Sequence, residues 1–388
     1  LSESICSTVL EQCLRGEPWS RALLAELHAP ELFSVLAEGL SDRFEPSLAG
    51  AYADIFCEVI AAARPELNAG ELRARFERVR RARPFEGAEP RVIFVLSRVT
   101  LGADVAITSV LFDALKRRFP NAQILFVAPR KSYELFAADP RIAHLAAAYG
   151  GGIEQRLRAP WFDEPESIVV DPDSRITQLG LLPVCPEQRY YFFESRSYGG
   201  DGDETLTALA RRWAGEVFGV TDARPYIAPA ARPATAGGIA VSLGVGDNQA
   251  KRIGGDFEAR LLAELAATGL PVAVDSGGSA EEAARVRKAV EASGAHVQVL
   301  CGPFAAFAAA IASSRLYVGY DSAGQHVAAA CGIPLISIFK GCASERFFER
   351  WRPSGDGRVE IVRAGEDGGA VLARVSRILR DLSLAGPH

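Results

Sequence analysis

The residues best suited to chemistry lie in three stretches, each directly after an apolar run. The first is Tyr317-Val-Gly-Tyr-Asp321-Ser322-Ala323-Gly324-Gln325-His326, continuing to Cys331-Gly332-Ile333-Pro334. A buried strand ending at Tyr320, a capping Asp321 or Ser322 and an Ala-rich helix would aim unpaired backbone N–H groups at a ligand. The helix dipole contributes about 0.3–2 kcal/mol and each hydrogen bond to a charged group roughly 1.5–3, enough together to hold a diphosphate. His326 follows Ser322 by four residues, on the same helix face, where it can reach the same anion. From this segment alone, a capped helix with a core histidine reads equally well.

The second stretch is Ser242-Leu-Gly244-Val-Gly246-Asp-Asn-Gln-Ala-Lys251-Arg252. Its two glycines let backbone N–H groups approach a phosphate, and Lys251 adds a point charge. The dinucleotide pattern G-x-G-x-x-G fails at Gln249 and no Walker A lysine motif exists, so nicotinamide and P-loop chemistry lose weight. The third stretch, Leu96-Ser97-Arg98-Val99-Thr100-Leu101-Gly102-Ala103-Asp104, would present an exposed Asp104 as general base to an acceptor hydroxyl. Taken alone, Asp104 reads more readily as a plain N-cap. Asp171-Pro-Asp173-Ser-Arg175 is a weaker candidate lining for an acceptor, or a divalent-metal site, and its carboxylates also read as ordinary loop residues. A serine-hydrolase role for Ser322 and His326 fails because the position before Asp321 is Tyr320, not the glycine of Gly-x-Ser-x-Gly.

Parallel α/β units must position these stretches. From Arg91 onward, short β-branched runs alternate with helical stretches. The pattern predicts strands over 92–96, 124–128, 168–171 and 190–193, with helices over 104–119 and 204–218. After Pro229, Pro233, Gly237 and Gly238 it starts again. Strands are then predicted over 239–243, 272–275, 297–300, 316–319 and 335–339, with helices over 256–267, 281–293, 304–312, 322–331 and 369–382. Residues 1–88 instead read as successive helices. The implied organisation is a helical extension (1–88), a first α/β domain (89–228), a linker (229–238), a second α/β domain (239–365) and a C-terminal helix (366–388). Two such sheets bind ligands at the carboxyl ends of their strands, which predicts a cleft between them.

Composition narrows the classes. The 388 residues are 48% hydrophobic and 23% charged, which excludes a disordered chain. The longest apolar run, Phe304 to Ala312, is nine residues, too short to cross a bilayer. A net charge of -5 argues against nucleic acid as a partner. No secretory h-region is present, so a cytoplasmic location is expected. The seven cysteines show no C-x-x-C pair or zinc spacing and read as free thiols. Arg73, Arg75, Arg78, Arg80, Arg81 and Arg83 could meet an anionic membrane surface or a phosphorylated acceptor, although a solvated face paired with Glu71 and Glu77 is favoured. The sequence contains no methionine.

Together the three stretches resemble glycosyltransferase family 9, the ADP-heptose:lipopolysaccharide heptosyltransferases, over about residues 91–365. The resemblance implies a GT-B fold, two facing Rossmann-like domains with parallel sheets, here preceded by the all-helical extension. Asp321 through His326 to Pro334 is similar to the family's D-[ST]-G-x-x-H-x-x-A-A-x-x-x-P donor-diphosphate motif, and Lys251-Arg252 to its basic pair. Leu101-Gly102-Ala103-Asp104 is similar to L-G-D, whose Asp is the base. Glu281 or Glu282 would contact the ribose, with Cys301 and Gly302 near the nucleotide base. Three departures stand out: Ala323 replaces the motif glycine, Ala103 is inserted before Asp104, and Ile253 stands where Trp is frequent. A cysteine cluster for iron, carried by a branch that modifies autotransporter proteins, is missing.

The resemblance implies inverting, metal-independent transfer of a heptose-like sugar from a nucleotide-diphosphate donor to a glycan, glycolipid or protein acceptor, with no cofactor. A position peripheral to the inner membrane is compatible with it. Two rivals remain. One is a UDP-N-acetylglucosamine 2-epimerase-like enzyme, because Asp275-Ser-Gly-Gly-Ser-Ala-Glu281-Glu282 resembles D-S-G-G-x-x-E-E, though one strand-helix unit early. The other is a non-catalytic binding protein derived from the GT-B fold.

Overall fold

In the computed structural model, residues 4–231, 237–246, 248–365 and 367–382 are described. Half of the expected linker, 232–236, lies outside them, as do Asp247, Glu366 and the last residues of the C-terminal segment. Two all-parallel sheets form the scaffold. The first holds β1 (Val92–Leu96), β2 (Gln123–Ala128), β3 (Ile142–Ala146), β4 (Ser167–Asp171) and β5 (Tyr190–Phe192), in the order β3-β2-β1-β4-β5. The second holds β6 (Ile239–Ser242), β7 (Val272–Asp275), β8 (Val297–Leu300), β9 (Leu316–Tyr320), β10 (Leu335–Phe339) and β11 (Val359–Arg363), in the order β11-β10-β9-β6-β7-β8. The edge strands β3 and β11 escaped the sequence reading. The central strands β1, β4, β9 and β10 are buried along their whole length because helical layers cover both their faces.

Side-chain alternation in β1 shows what covers each face. Ile93 and Val95 join the core beneath the helices Ser109–Arg118 and Leu206–Phe218. Val92, Phe94 and Leu96 point the other way, into a second core built with Leu36, Tyr52, Phe56, Ile60 and Phe76. The N-terminal helices are therefore a layer of the first domain rather than an appendage. Their longest member, Pro46–Ala63, is the one helix among the described residues long and apolar enough to cross a membrane, and half of it is buried within the fold. The arginine run fastens this layer down. Arg75 donates to the Gly180 carbonyl at 2.8 Å, Arg78 pairs with Glu187 and Arg80 with Glu194.

Each sheet reverses strand order once, between β1 and β4 in the first and between β6 and β9 in the second. At such a point the loops leaving neighbouring strands diverge and open a crevice at the carboxyl ends. Both crevices face the same space.

Candidate active site

That space is a cavity of about 750 Å³. Its second-domain wall follows from the loops after β6, β7 and β9. Lys251 enters it from a single 3-10 turn, Gln249–Lys251, and its Nζ lies 2.6 Å from Asp321 Oδ2. Asp321 is held from behind by Gln325 Nε2 at 2.5 Å, and Gln325 accepts from the Ser337 hydroxyl. Ser322 is the N-cap of the helix Ala323–Ala330 and its side chain makes no bond to the helix's own amides, which leaves that turn open to the cavity. Gly324 allows this helix to lie on Tyr317: a Cβ there would fall on the phenol ring, 2.7 Å from Cε2.

His326 also lines the cavity, edge-on to Trp351 at 5.7 Å between ring centroids. Burial pushes its pKa down to about 4, against the pull of Asp321 and with the help of Lys251. It is neutral at physiological pH, so the formal positive charge at this end is that of Lys251. Asp275 lines the wall nearby, and burial chiefly, reinforced by Glu282, raises its pKa to about 6.

The first-domain wall is more basic. Arg98, Lys131, Arg175 and Arg196 line it against only Asp42 and Asp173. Arg196 is 2% exposed and donates to Asp173 at 2.8 Å, while its Nη1 is buried without a protein partner. Ser195 donates to the other Asp173 oxygen at 2.7 Å. Backbone strain gathers here as well. Of the non-glycine residues with positive φ, Phe44 (57°), Val99 (72°), Asp173 (73°) and Leu179 (58°) all line the cavity. Such conformations cost on the order of 1–3 kcal/mol each and concentrate at functional sites.

The structure corrects several expected positions. Asp104 is not exposed to the cleft. It is fully buried and accepts from Ser97 Oγ at 2.7 Å, the Arg98 N–H at 2.8 Å and Thr108 Oγ1 at 2.9 Å. Burial raises its pKa despite those bonds. The expected helix over 104–119 begins as Leu101–Ala103, passes through a π turn at Asp104–Thr108 and continues as Ser109–Arg118, so Ala103 rather than Asp104 lines the cavity. Asp171 is likewise buried, bonded by the Ser174 N–H, Thr177 and Tyr190, and it holds the loop that presents Asp173 and Arg175. Arg252 turns to Glu258 at 3.0 Å. Gly324 and Gln325 stand behind the lining, and Glu281 and Cys301 are exposed outside it. Glu282 and Gly302 line the cavity, as do Gly244, Gly246, Lys251, Asp321, Ser322, Ala323 and His326.

Sequence reading missed the wall supplied by the N-terminal layer, Ser41, Asp42 and Phe44, together with Phe347 and Trp351. Phe44 wedges between Phe347 and Trp351, with centroids at 6.4 and 6.1 Å. Arg346 donates to the Phe44 carbonyl and Ser344 to that of Arg43 at 3.3 Å. These contacts span about 300 residues of sequence, as the separations of 301 and 302 show, and leave no local signal. Gly102 closes the seam between domains. A Cβ there would sit 3.1 Å from His326 Cδ2 and 3.3 Å from Ala323 Cα. Among the described residues, no group of three or more His, Cys, Asp or Glu could hold a metal ion.

Residues 247–366 match the model of glycosyltransferase family 9 (heptosyltransferase). No curated protein matches by sequence. The E. coli heptosyltransferase WaaC, solved with ADP-2-deoxy-2-fluoro heptose, superposes with a TM-score of 0.55 at 15% identity, over 75% of this chain and 99% of its own. WaaC with ADP gives 0.54 at 16% identity, over 75% and 99% of the two chains. The family 9 glycosyl transferase from Veillonella parvula gives 0.52 at 15% identity, over 76% and 89%. The likeness establishes the GT-B arrangement of two facing parallel sheets.

Proposed function

We propose that this family 9-like, GT-B chain is a glycosyltransferase that moves a heptose-like sugar from a nucleoside diphosphate to a hydroxyl of an anionic glycan or glycolipid, with inversion and without a metal. The observation that carries the reading is that both strand-order reversals open on one cavity. At one end Lys251 and the open first turn of the helix Ala323–Ala330 suit a diphosphate. At the other, Arg98, Arg175 and Arg196 suit an acceptor bearing carboxylate or phosphate.

In a single displacement the acceptor oxygen attacks the anomeric carbon from the face opposite the departing diphosphate, which inverts that centre. Opposed binding walls favour such an approach. Lys251 lies 2.6 Å from Asp321 Oδ2. On donor binding it would exchange part of that pairing for phosphate oxygens, stabilising the charge that grows on the leaving group. Glu282, which lines the cavity and accepts from the Gly278 N–H at 2.9 Å, would accept a ribose hydroxyl of the donor. ADP as the leaving nucleotide and a cytoplasmic location belong to the same proposal.

Calorimetric titration with ADP, UDP and GDP tests it. Saturable binding of one nucleotide, weakened about 10- to 100-fold in K251A, is expected. No binding of any of them refutes the reading. Sugar isomerised without an acceptor would favour an epimerase instead.

A further inference from the structure

We propose that Asp42, supplied by the N-terminal helical layer, is the base that takes the acceptor's proton. The assignment rests on the glycosyltransferase reading and concerns a step that the buried Asp104 leaves without a carboxylate. Five carboxylate residues line the cavity: Asp42, Asp173, Asp275, Glu282 and Asp321. Asp275, Glu282 and Asp321 belong to the second-domain wall, and Asp321 is bound by Lys251 and Gln325. Asp173 is 1% exposed, with one oxygen bonded to Arg196 and the other to Ser195, so proton uptake there would break a buried ion pair.

Asp42 differs on each count. Its side chain is 43% exposed. Ser41 Oγ donates to Oδ1 at 3.0 Å, and the nearest cation, Arg175 Nη2, is 3.7 Å from the same oxygen. Oδ2 therefore has no protein donor among the described residues. The position is fixed. Two residues later Phe44, buried and at φ 57°, is wedged against Trp351, and Trp351 touches His326. This chain of contacts brings the helical layer to the seam where the Ala323–Ala330 helix meets Gly102. Donor and acceptor walls join there.

In the step assigned to it, the acceptor O–H proton passes to Asp42 Oδ2 as the acceptor oxygen bonds to the anomeric carbon. The bond from that carbon to the diphosphate oxygen breaks, and its electron pair leaves with the nucleoside diphosphate. The exposed carboxyl then returns the proton to water, so no oxidant or further reactant is required.

The test is steady-state transfer to the accepted sugar hydroxyl, with ADP binding measured in parallel, for wild type, D42N, D42E, D42S and D173N. A positioned base is worth about 10²- to 10⁴-fold. D42N and D42S are expected to lower kcat at least about 100-fold while the ADP Kd stays within about twofold, and D42E to recover part of the loss. A merely structural role would move binding and melting midpoint together with kcat. Transfer by D42N and D42S within about threefold of wild type would overturn the assignment while leaving the glycosyltransferase reading intact. So would a loss confined to D173N. Failure of the wild type both to bind a nucleotide and to transfer would overturn both.

Discussion

Replacing His326 by glutamine is expected to flatten the acid limb of the protein's stability. The imidazole has its pKa lowered from 6.5 to about 4, chiefly by burial. The folded protein thus keeps it neutral at pH values where the unfolded chain protonates it. Between pH 6.5 and 4 the unfolded state binds more protons, so stability is fully present above that range and falls as pH is lowered through it. One pKa unit is about 1.4 kcal/mol, so at pH 4.5 wild type has lost about 2.5 kcal/mol through this residue. H326Q keeps a polar amide at the same place and has no such term. Whatever it costs at pH 7.5, its stability relative to wild type should improve by about 2–3 kcal/mol at pH 4.5. Denaturant unfolding followed by tryptophan fluorescence suits the measurement because Trp351 lies 5.7 Å from the imidazole. An equal difference between the two proteins at both pH values would refute a buried neutral histidine. It would also return a second cation to the Lys251 end of the cavity.

Asp275 carries the opposite sign. With its pKa raised to about 6, the folded state holds a proton that the unfolded chain has lost, and stability falls as pH rises from about 4 to 6. D275N should therefore unfold at higher denaturant than wild type at pH 7.5, by up to about 3 kcal/mol, with most of the gain gone at pH 4; no gain at pH 7.5 would contradict the buried-carboxylate account. Gly324→Ala would drive a methyl into the Tyr317 ring and is expected to destabilise by roughly 1–3 kcal/mol. Adding Tyr317→Phe removes the nearest atom, the hydroxyl, and should recover part of that loss in a double-mutant cycle. Simple additivity would place the clash elsewhere.

The parts of this protein legible in its sequence are those where local chemistry and buried position coincide. β1, β7 and β10 are short apolar runs bounded by turn residues, and the helix Ala323–Ala330 follows β9 directly. The edge strand β3 reads Ile-Ala-His-Leu-Ala, with too little β-branching to stand out beside the alanines that follow. β11 lies only partly buried at an edge of the second sheet. Lys251 and Asp321 were recoverable because each sits one loop away from a strand end. Arg252 was not separable from Lys251 by sequence, since only its turn toward Glu258 removes it from the cavity. The helical layer was legible as helices but not as a wall of the site. Its amphipathic pattern shows which faces are buried without showing that Val92, Phe94 and Leu96 are what they bury against.

The displacement of Asp104 follows from helix geometry. Successive helical residues are rotated by about 100°, so one additional residue between Gly102 and the carboxylate swings it away from the direction the shorter L-G-D spacing would give. Here Ala103 faces the cavity, 2% exposed, and Asp104 faces Ser97 and Thr108 in the core. The π turn at Asp104–Thr108 holds one more residue than an α turn, which absorbs the insertion and returns Val105, Val110 and Leu111 to the buried face. The fold thus tolerates the change at the site without disturbing the helix beyond it. Asp104 in turn closes the Ser97–Arg98 bend by accepting the Arg98 N–H, and that bend sends Arg98 toward Ser195 and the Pro172 carbonyl, each at 2.8 Å. Asp104 thus shapes the first-domain wall of the cavity from within the core, while Asp42, anchored through Phe44 to the opposite domain, offers the solvent-connected oxygen that the buried one lacks.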